Sequence, residues 1–140
     1  MQIAVIVPTY NESENIESLV TQLLSLPIAP RVIIVDDNSP DGTGVIADRL
    51  AADYNGRVEV IHRAGKLGLG TAYIAGFKQA LAGGADLICT MDADFSHNPR
   101  FIPQMVAKIE EGYDLVIGSR YVRGGSTSGC TLSRKLLSWG

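Results

Sequence analysis

Two carboxylates in the triplet Asp92-Ala93-Asp94, directly after the apolar run Leu87-Ile88-Cys89-Thr90-Met91, carry the strongest chemical signal in the chain. Alternate residues of extended backbone project the same way, so both acids can meet one hard cation or the ion of a diphosphate. The plainer role of helix-capping acids is already filled by Asn98-Pro99, whose proline suits a first helical turn. A second group, Asp36-Asp37-Asn38-Ser39-Pro40-Asp41-Gly42-Thr43, mixes turn chemistry with surplus acid. Ser39-Pro40 fits a turn and Asp41 fits an N-cap. Asp36 and Asp37 have no such task and could accept hydrogen bonds from a ribose or a base edge, or stand as solvated acids.

Three further candidates are weaker. Pro8-Thr9-Tyr10-Asn11-Glu12 occupies the place of a dinucleotide fingerprint yet holds no glycine, which argues against a dinucleotide oxidoreductase. Gly65-Lys66-Leu67-Gly68-Leu69-Gly70 misses the phosphate-loop spacing, since Lys66 precedes Leu rather than Ser or Thr. It could still bring backbone N–H groups and Lys66 or Arg63 near a phosphate, or be only a glycine-rich turn. His62 and His97 have no Cys or His partner at metal-ligand spacing and read as structural or supporting histidines. No nucleophilic triad is legible from spacing.

Groups of this kind must be held by regular elements. Ile3-Ala4-Val5-Ile6-Val7 reads as a strand ended by Pro8, and Val32–Val35, Val58–Ile61, Leu87–Met91 and Leu115–Ile117 repeat the theme. Ile16, Leu19, Val20, Leu23 and Leu24 follow helical spacing, as do Ile102, Met105, Val106 and Ile109. Five strands with four intervening helices predict right-handed crossovers and an α/β fold: a mostly parallel sheet covered on both faces. In such sheets ligands bind at the carboxyl ends of the strands, where each motif above begins. Gly124–Gly129 reads as a loop, and Ser133–Gly140 as the start of an amphipathic helix.

The chain of 140 residues is 46% hydrophobic, enough for one domain with its own core. Its 12 basic and 15 acidic residues give a net charge of -3, which argues against a nucleic-acid partner. Residues 119–140 hold Arg120, Arg123, Arg134 and Lys135 and no acid, so this tail is suited to phosphates. Cys89 and Cys130 read as a buried thiol and a loop thiol in a reducing compartment. With no signal segment and no apolar run near the ~18 residues of a membrane span, a cytoplasmic location is expected.

Together, Val7-Pro8-Thr9-Tyr10-Asn11-Glu12, the Val35–Thr43 segment, Gly68-Leu69-Gly70 and Met91-Asp92-Ala93-Asp94 resemble the family 2 glycosyltransferases of GT-A fold. Ser96-His97-Asn98-Pro99, Gly118-Ser119-Arg120-Tyr121-Val122 with Gly124-Gly125, and Leu132-Ser133-Arg134-Lys135 are similar to the polyprenyl-phosphate (dolichol-phosphate) mannosyltransferase branch. The resemblance implies that Pro8, Tyr10, Glu12, Val35 and Asp37 surround the nucleoside of a nucleotide sugar, GDP-mannose being the expected donor. It implies that Asp92, Ala93 and Asp94 meet the diphosphate and its Mg2+ or Mn2+, with Ser96 where some relatives place a glutamine ligand. Arg120 resembles the donor-site arginine, and Asp94 and Arg120 are the expected catalytic pair.

Displacing a nucleoside diphosphate from a sugar carbon requires charge to be neutralised on the leaving group, the task of a bound cation. A lipid-phosphate acceptor is already anionic near neutral pH, with a second pKa of about 6, and needs no strong base. Arg120, Arg134 and Lys135 would then hold phosphates together, Arg134 on the acceptor side, and in-line attack would invert the sugar carbon. A saccharide acceptor with a UDP-sugar donor, a noncatalytic nucleotide-sugar module and a nucleotidyltransferase are the alternatives. Residues 1–118 are expected to bind the nucleotide sugar and 119–140 to begin the acceptor side. The resemblance further implies a chain that stops short of its acceptor-closing segment. Nucleotide binding then survives with little transfer, self-association occurs through Leu136, Leu137 and Trp139, and contact with the membrane's cytoplasmic face is peripheral.

Overall fold

The structure, a computed structural model, describes residues 2–65, 68–94, 98–110, 115–118 and 135–139. Strand β1 (Ile3–Thr9) leads through α1 (Ile16–Leu24) to β2 (Arg31–Asp36), then through α2 (Thr43–Asp53) to β3 (Val58–His62). Helix α3 (Leu69–Ala82) carries the chain to β4 (Leu87–Thr90), a short 3-10 turn (Pro99–Phe101) opens α4 (Ile102–Glu110), and β5 (Leu115–Gly118) and β6 (Lys135–Trp139) follow. The six strands form one sheet in the order β3-β2-β1-β4-β6-β5, every neighbouring pair parallel. The α/β class read from the sequence is therefore the observed one.

Strand alternation divides the core into two layers. Val5, Val7, Val32, Ile34, Leu87 and Cys89 face one way, against Ile16, Leu19, Val20 and Leu23 of α1, Ala47 and Leu50 of α2, and Ile102 and Val106 of α4. Ala4, Ile6, Ile33, Val35 and Ile88 face the other way, against Ala72 and Ala80 of α3 with Tyr73 and Phe77 beside them. The helical spacing of α1 thus corresponds to a buried stripe, with Ile16, Leu19, Val20 and Leu23 all at 0% exposure. Asn98 accepts a hydrogen bond from the Arg100 amide at 3.0 Å, and Pro99 follows it into the first turn.

Two expectations change. β1 passes through Pro8 to Thr9 rather than ending at it. Ile6 accepts from the Met91 amide on the β4 side and Thr9 from the Asp37 amide on the β2 side, so the missing N–H of Pro8 falls on the β4 side. Pairing with β4 has already finished there, at Ile6↔Thr90, and proline removes no ladder bond. Lys135–Trp139, expected as helix, is a strand inserted between β4 and β5, with Leu87↔Lys135 and Leu115↔Leu136 in register. A short segment holding Leu136-Leu137 suits either element, and here the ladder satisfies its backbone on both sides. The helical apolar face on which self-association was expected is therefore not formed by these residues.

The chain builds outward from β1 to β2 and β3, then returns past β1 to place β4 on its other side. The order reverses between β1 and β4, which opens a crevice at their carboxyl ends.

Candidate active site

The loops after β1 and β2 are tied by side chains from both. Thr9 donates to Asp36 Oδ1 at 2.8 Å, and Ser39 donates to the same oxygen at 2.6 Å and to Asp36 Oδ2 through its amide at 3.1 Å. Ser39 Oγ in turn accepts from the Asn11 amide at 3.0 Å. Thr43 Oγ1 accepts from the Glu12 amide at 2.9 Å, while Asp41 accepts from the Ser13 and Thr43 amides, each at 3.0 Å, and from the Thr43 hydroxyl. Burial pushes the Asp41 carboxyl up, but these bonds, led by that from the Thr43 hydroxyl, bring it down to about 2. Asn11 and Asn38 take left-handed backbone at φ 56° and 55°, a conformation asparagine tolerates better than most residues, and so turn both loops over the sheet edge.

Asp36 is therefore a structural acid. At 2% exposure it is spent on Thr9 and Ser39 and is not offered to a ribose or base. Asp37 forms a two-pronged pair with Arg63, Nε to Oδ1 at 2.6 Å and Nη2 to Oδ2 at 2.9 Å, both side chains 10% exposed. Arg63 also donates to Thr71 Oγ1 at 2.8 Å and to the Gly68 carbonyl at 3.3 Å, which joins this pair to the start of α3. Arg63, considered for a phosphate, is paired with Asp37, and Lys66 lies outside the described residues. His62 bonds Asp48 Oδ1 at 2.7 Å, a surface pair that fits its structural reading.

Across the crevice, burial alternates after β4: Met91 and Ala93 are buried, Asp92 is half-buried and Asp94 exposed. The Tyr73 hydroxyl of α3 donates to Asp92 Oδ1 at 3.4 Å. Burial, then the charge and hydrogen bond of Asp92, push the Tyr73 hydroxyl up to about 12. Glu12, arriving from β1, has its carboxyl raised first by burial, with Asn15 opposing, and then by the charges of Asp94, Asp41 and Asp92. The switch point thus gathers acids from three loops into one negative field.

Of the other expected site residues, Pro8 is partly exposed at the rim, Tyr10 presents 38% of its surface, and Val35 is wholly buried in the α3-side layer beneath them. Ser96, Arg120 and Arg134, together with His97, Cys130 and the Gly124–Gly129 loop, lie outside the described residues. Among the described residues no group of three or more His, Cys, Asp or Glu side chains is arranged to hold a metal. The sequence reading missed Tyr73 and Thr71, and it missed that Arg63 belongs to Asp37. The last follows from strand register, since the Val32↔Val58 pairing carries residue 37 opposite residue 63, and register is not written in the local sequence.

The chain has relatives of known family and fold. The "Glycosyl transferase family 2" description matches residues 4–139. The chain is 45% identical to the polyprenol monophosphomannose synthase of Mycolicibacterium smegmatis over 96% of its own length and 51% of that protein's. It is likewise 45% identical to the undecaprenyl-phosphate mannosyltransferase of Micrococcus luteus, over 99% of this chain and 56% of that one. It therefore spans about half the length of these curated relatives. Among solved structures it resembles glucosyl-3-phosphoglycerate synthase of Mycobacterium tuberculosis, crystallised with Mn2+ and UDP, at a TM-score of 0.62 and 25% identity, covering 88% of this chain and 45% of that one. With the α/β sheet, its switch-point crevice and this match over nearly the whole chain, the protein belongs to glycosyl transferase family 2, with the GT-A fold.

Proposed function

We propose that this chain forms the donor-binding part of an inverting polyprenyl-phosphate mannosyltransferase that takes mannose from GDP-mannose. The observation that carries the reading is the shared field of Glu12, Asp92 and Asp94 at the switch point, with Arg63 committed to Asp37. A diphosphate entering that field would be repelled unless a divalent cation entered with it. The donor set fits Mg2+ or Mn2+: Asp92 and Asp94 supply hard oxygens, and the diphosphate, water and the Ser96 hydroxyl are suited to the remaining positions. Such a cation would neutralise charge on the departing GDP. The relatives' names, both phosphoprenol mannosyl enzymes, favour the lipid phosphate over a saccharide acceptor.

In this reading Pro8, Tyr10, Glu12, Val35 and Asp37 shape the nucleoside end, Val35 from beneath, and Asp92, Ala93 and Asp94 hold the diphosphate end. Arg120 steadies the donor phosphates and Arg134 the acceptor phosphate, whose own charge makes it a competent nucleophile without a strong base. The work is done at the membrane's cytoplasmic face, reached by peripheral contact. Among the described residues no helix is long and apolar enough to cross a membrane.

A thermal-shift panel of GDP, UDP, GDP-mannose and UDP-glucose, each with Mn2+ or EDTA, tests this reading. Stabilisation by GDP and GDP-mannose that disappears in EDTA is expected. Preference for the uridine nucleotides would move the chain to a different donor, and stabilisation untouched by EDTA would remove the cation. Turnover, where detected, releases GDP; pyrophosphate would mark a nucleotidyltransferase instead.

A further inference from the structure

Helix α3 touches the donor crevice at two points, and its packing explains how. Its sheet-facing residues Ala72, Gly76 and Ala80 are all small and buried. A Cβ built on Gly76 would lie 2.5 Å from Ile6 Cγ2 and 3.0 Å from Cδ1, so the helix sits closer to β1 than a residue with a side chain would permit. At that distance its first turn meets Arg63 through Thr71 and Gly68. One residue pair further on, Tyr73 reaches Asp92. The Tyr73 ring is fixed by Phe77, centroids 6.4 Å apart and planes within 17°. Packing alone would be served by phenylalanine, and the hydroxyl is the part that faces the acid.

We propose that Tyr73 is a positioning residue for Asp92: its hydroxyl, carried to the switch point by the glycine-permitted approach of α3 to the sheet, holds the carboxylate in the orientation that a diphosphate-bound cation requires. The inference rests on the proposed role of Asp92 toward the donor diphosphate. A tyrosine hydroxyl is protonated throughout the neutral range, so this one remains a donor to the carboxylate. Asp92 fixed in this way would lose less side-chain freedom when the cation arrives.

The test is calorimetric titration of GDP, with Mn2+ and with EDTA, into the wild type, Tyr73→Phe, Asp92→Asn and the double variant. Tyr73→Phe should weaken GDP binding in Mn2+ by about three- to tenfold. It should leave binding in EDTA and the thermal midpoint unchanged, and it should add no loss to Asp92→Asn. An equal loss with and without Mn2+, no loss at all, or a full additional loss in the double variant would each overturn the positioning role while leaving Asp92 in place. If Asp92→Asn itself left Mn2+-supported binding intact, the donor role of Asp92 would fall and the role of Tyr73 with it.

Discussion

The carboxyl ends of β2 and β4 both carry acids, and the two sets have different surroundings. After β2, each acid is matched to donors that the fold itself provides: Asp36 to Thr9 and Ser39, Asp37 to Arg63, Asp41 to Ser13 and Thr43. After β4, Asp92 and Asp94 lie near a third acid, Glu12, whose carboxyl is raised first by burial and then by the charges of Asp94, Asp41 and Asp92. Matched acids hold the loops in shape, whereas facing acids store repulsion that a cation can relieve. Residue type and place in the fold are the same in both regions. Asp92 has a donor too, in Tyr73, so the distinction lies in how the acids approach one another and not in a lack of partners.

The largest effect that sharpens this contrast concerns the Asp37–Arg63 pair. Removing Asp37 as Asp37→Ala leaves a guanidinium that is 10% exposed without its partner, and chemical denaturation should show a loss of about 3–5 kcal/mol. An Asp37→Leu, Arg63→Met double variant should recover most of that loss, because no uncompensated charge remains. Loss in the single variant no larger than a surface change would show the β2 acids to be less structural than their bonds suggest. Next in size, Gly76→Ala should cost about 1–3 kcal/mol through overpacking against Ile6, read from the same denaturation curves.

A smaller effect separates the two regions by sign. Asp41 is held near 2, below its ordinary 3.8, so it supports the fold above pH 3.8 and the support is lost as pH falls toward 2. Glu12 is raised above its ordinary 4.5, so the folded state binds its proton more readily. Burial first, and then the neighbouring acids, weigh against its charged form at neutral pH, and that cost is relieved as pH falls toward 4.5. Thermal midpoints across that range should show Asp41→Asn flattening the acid limb and Glu12→Gln flattening the rise toward mild acid. Similar pH curves for both variants would erase the distinction between the regions.

Much of this architecture is legible in the residues because it is local. The apolar runs of β1 to β4 and the stripes of α1 and α4 state their own periods, and the position of the acids at strand ends follows from them. What is not legible depends on partners distant in the chain. Nothing near Asp36 announces Thr9, 27 residues away, as its donor. Tyr73 reads as one more residue of a helix until Gly76 lets that helix down onto β1. Lys135–Trp139 carries too few residues for its period to decide, and neighbouring strands on both sides decide it instead. Pro8 misled because proline usually ends a strand, yet its N–H faces a side where pairing had already stopped.

Asp94, with Asp92, is proposed to bind the donor diphosphate through a divalent cation. Calorimetric titration of GDP-mannose into the wild type and Asp94→Ala, each with Mn2+ and with EDTA, measures it directly. Affinity should fall at least about tenfold, some 1.4 kcal/mol, on either the substitution or chelation, and the two losses should not add. Affinity unchanged by both would contradict the claim, leaving the acids after β4 without a part in donor binding.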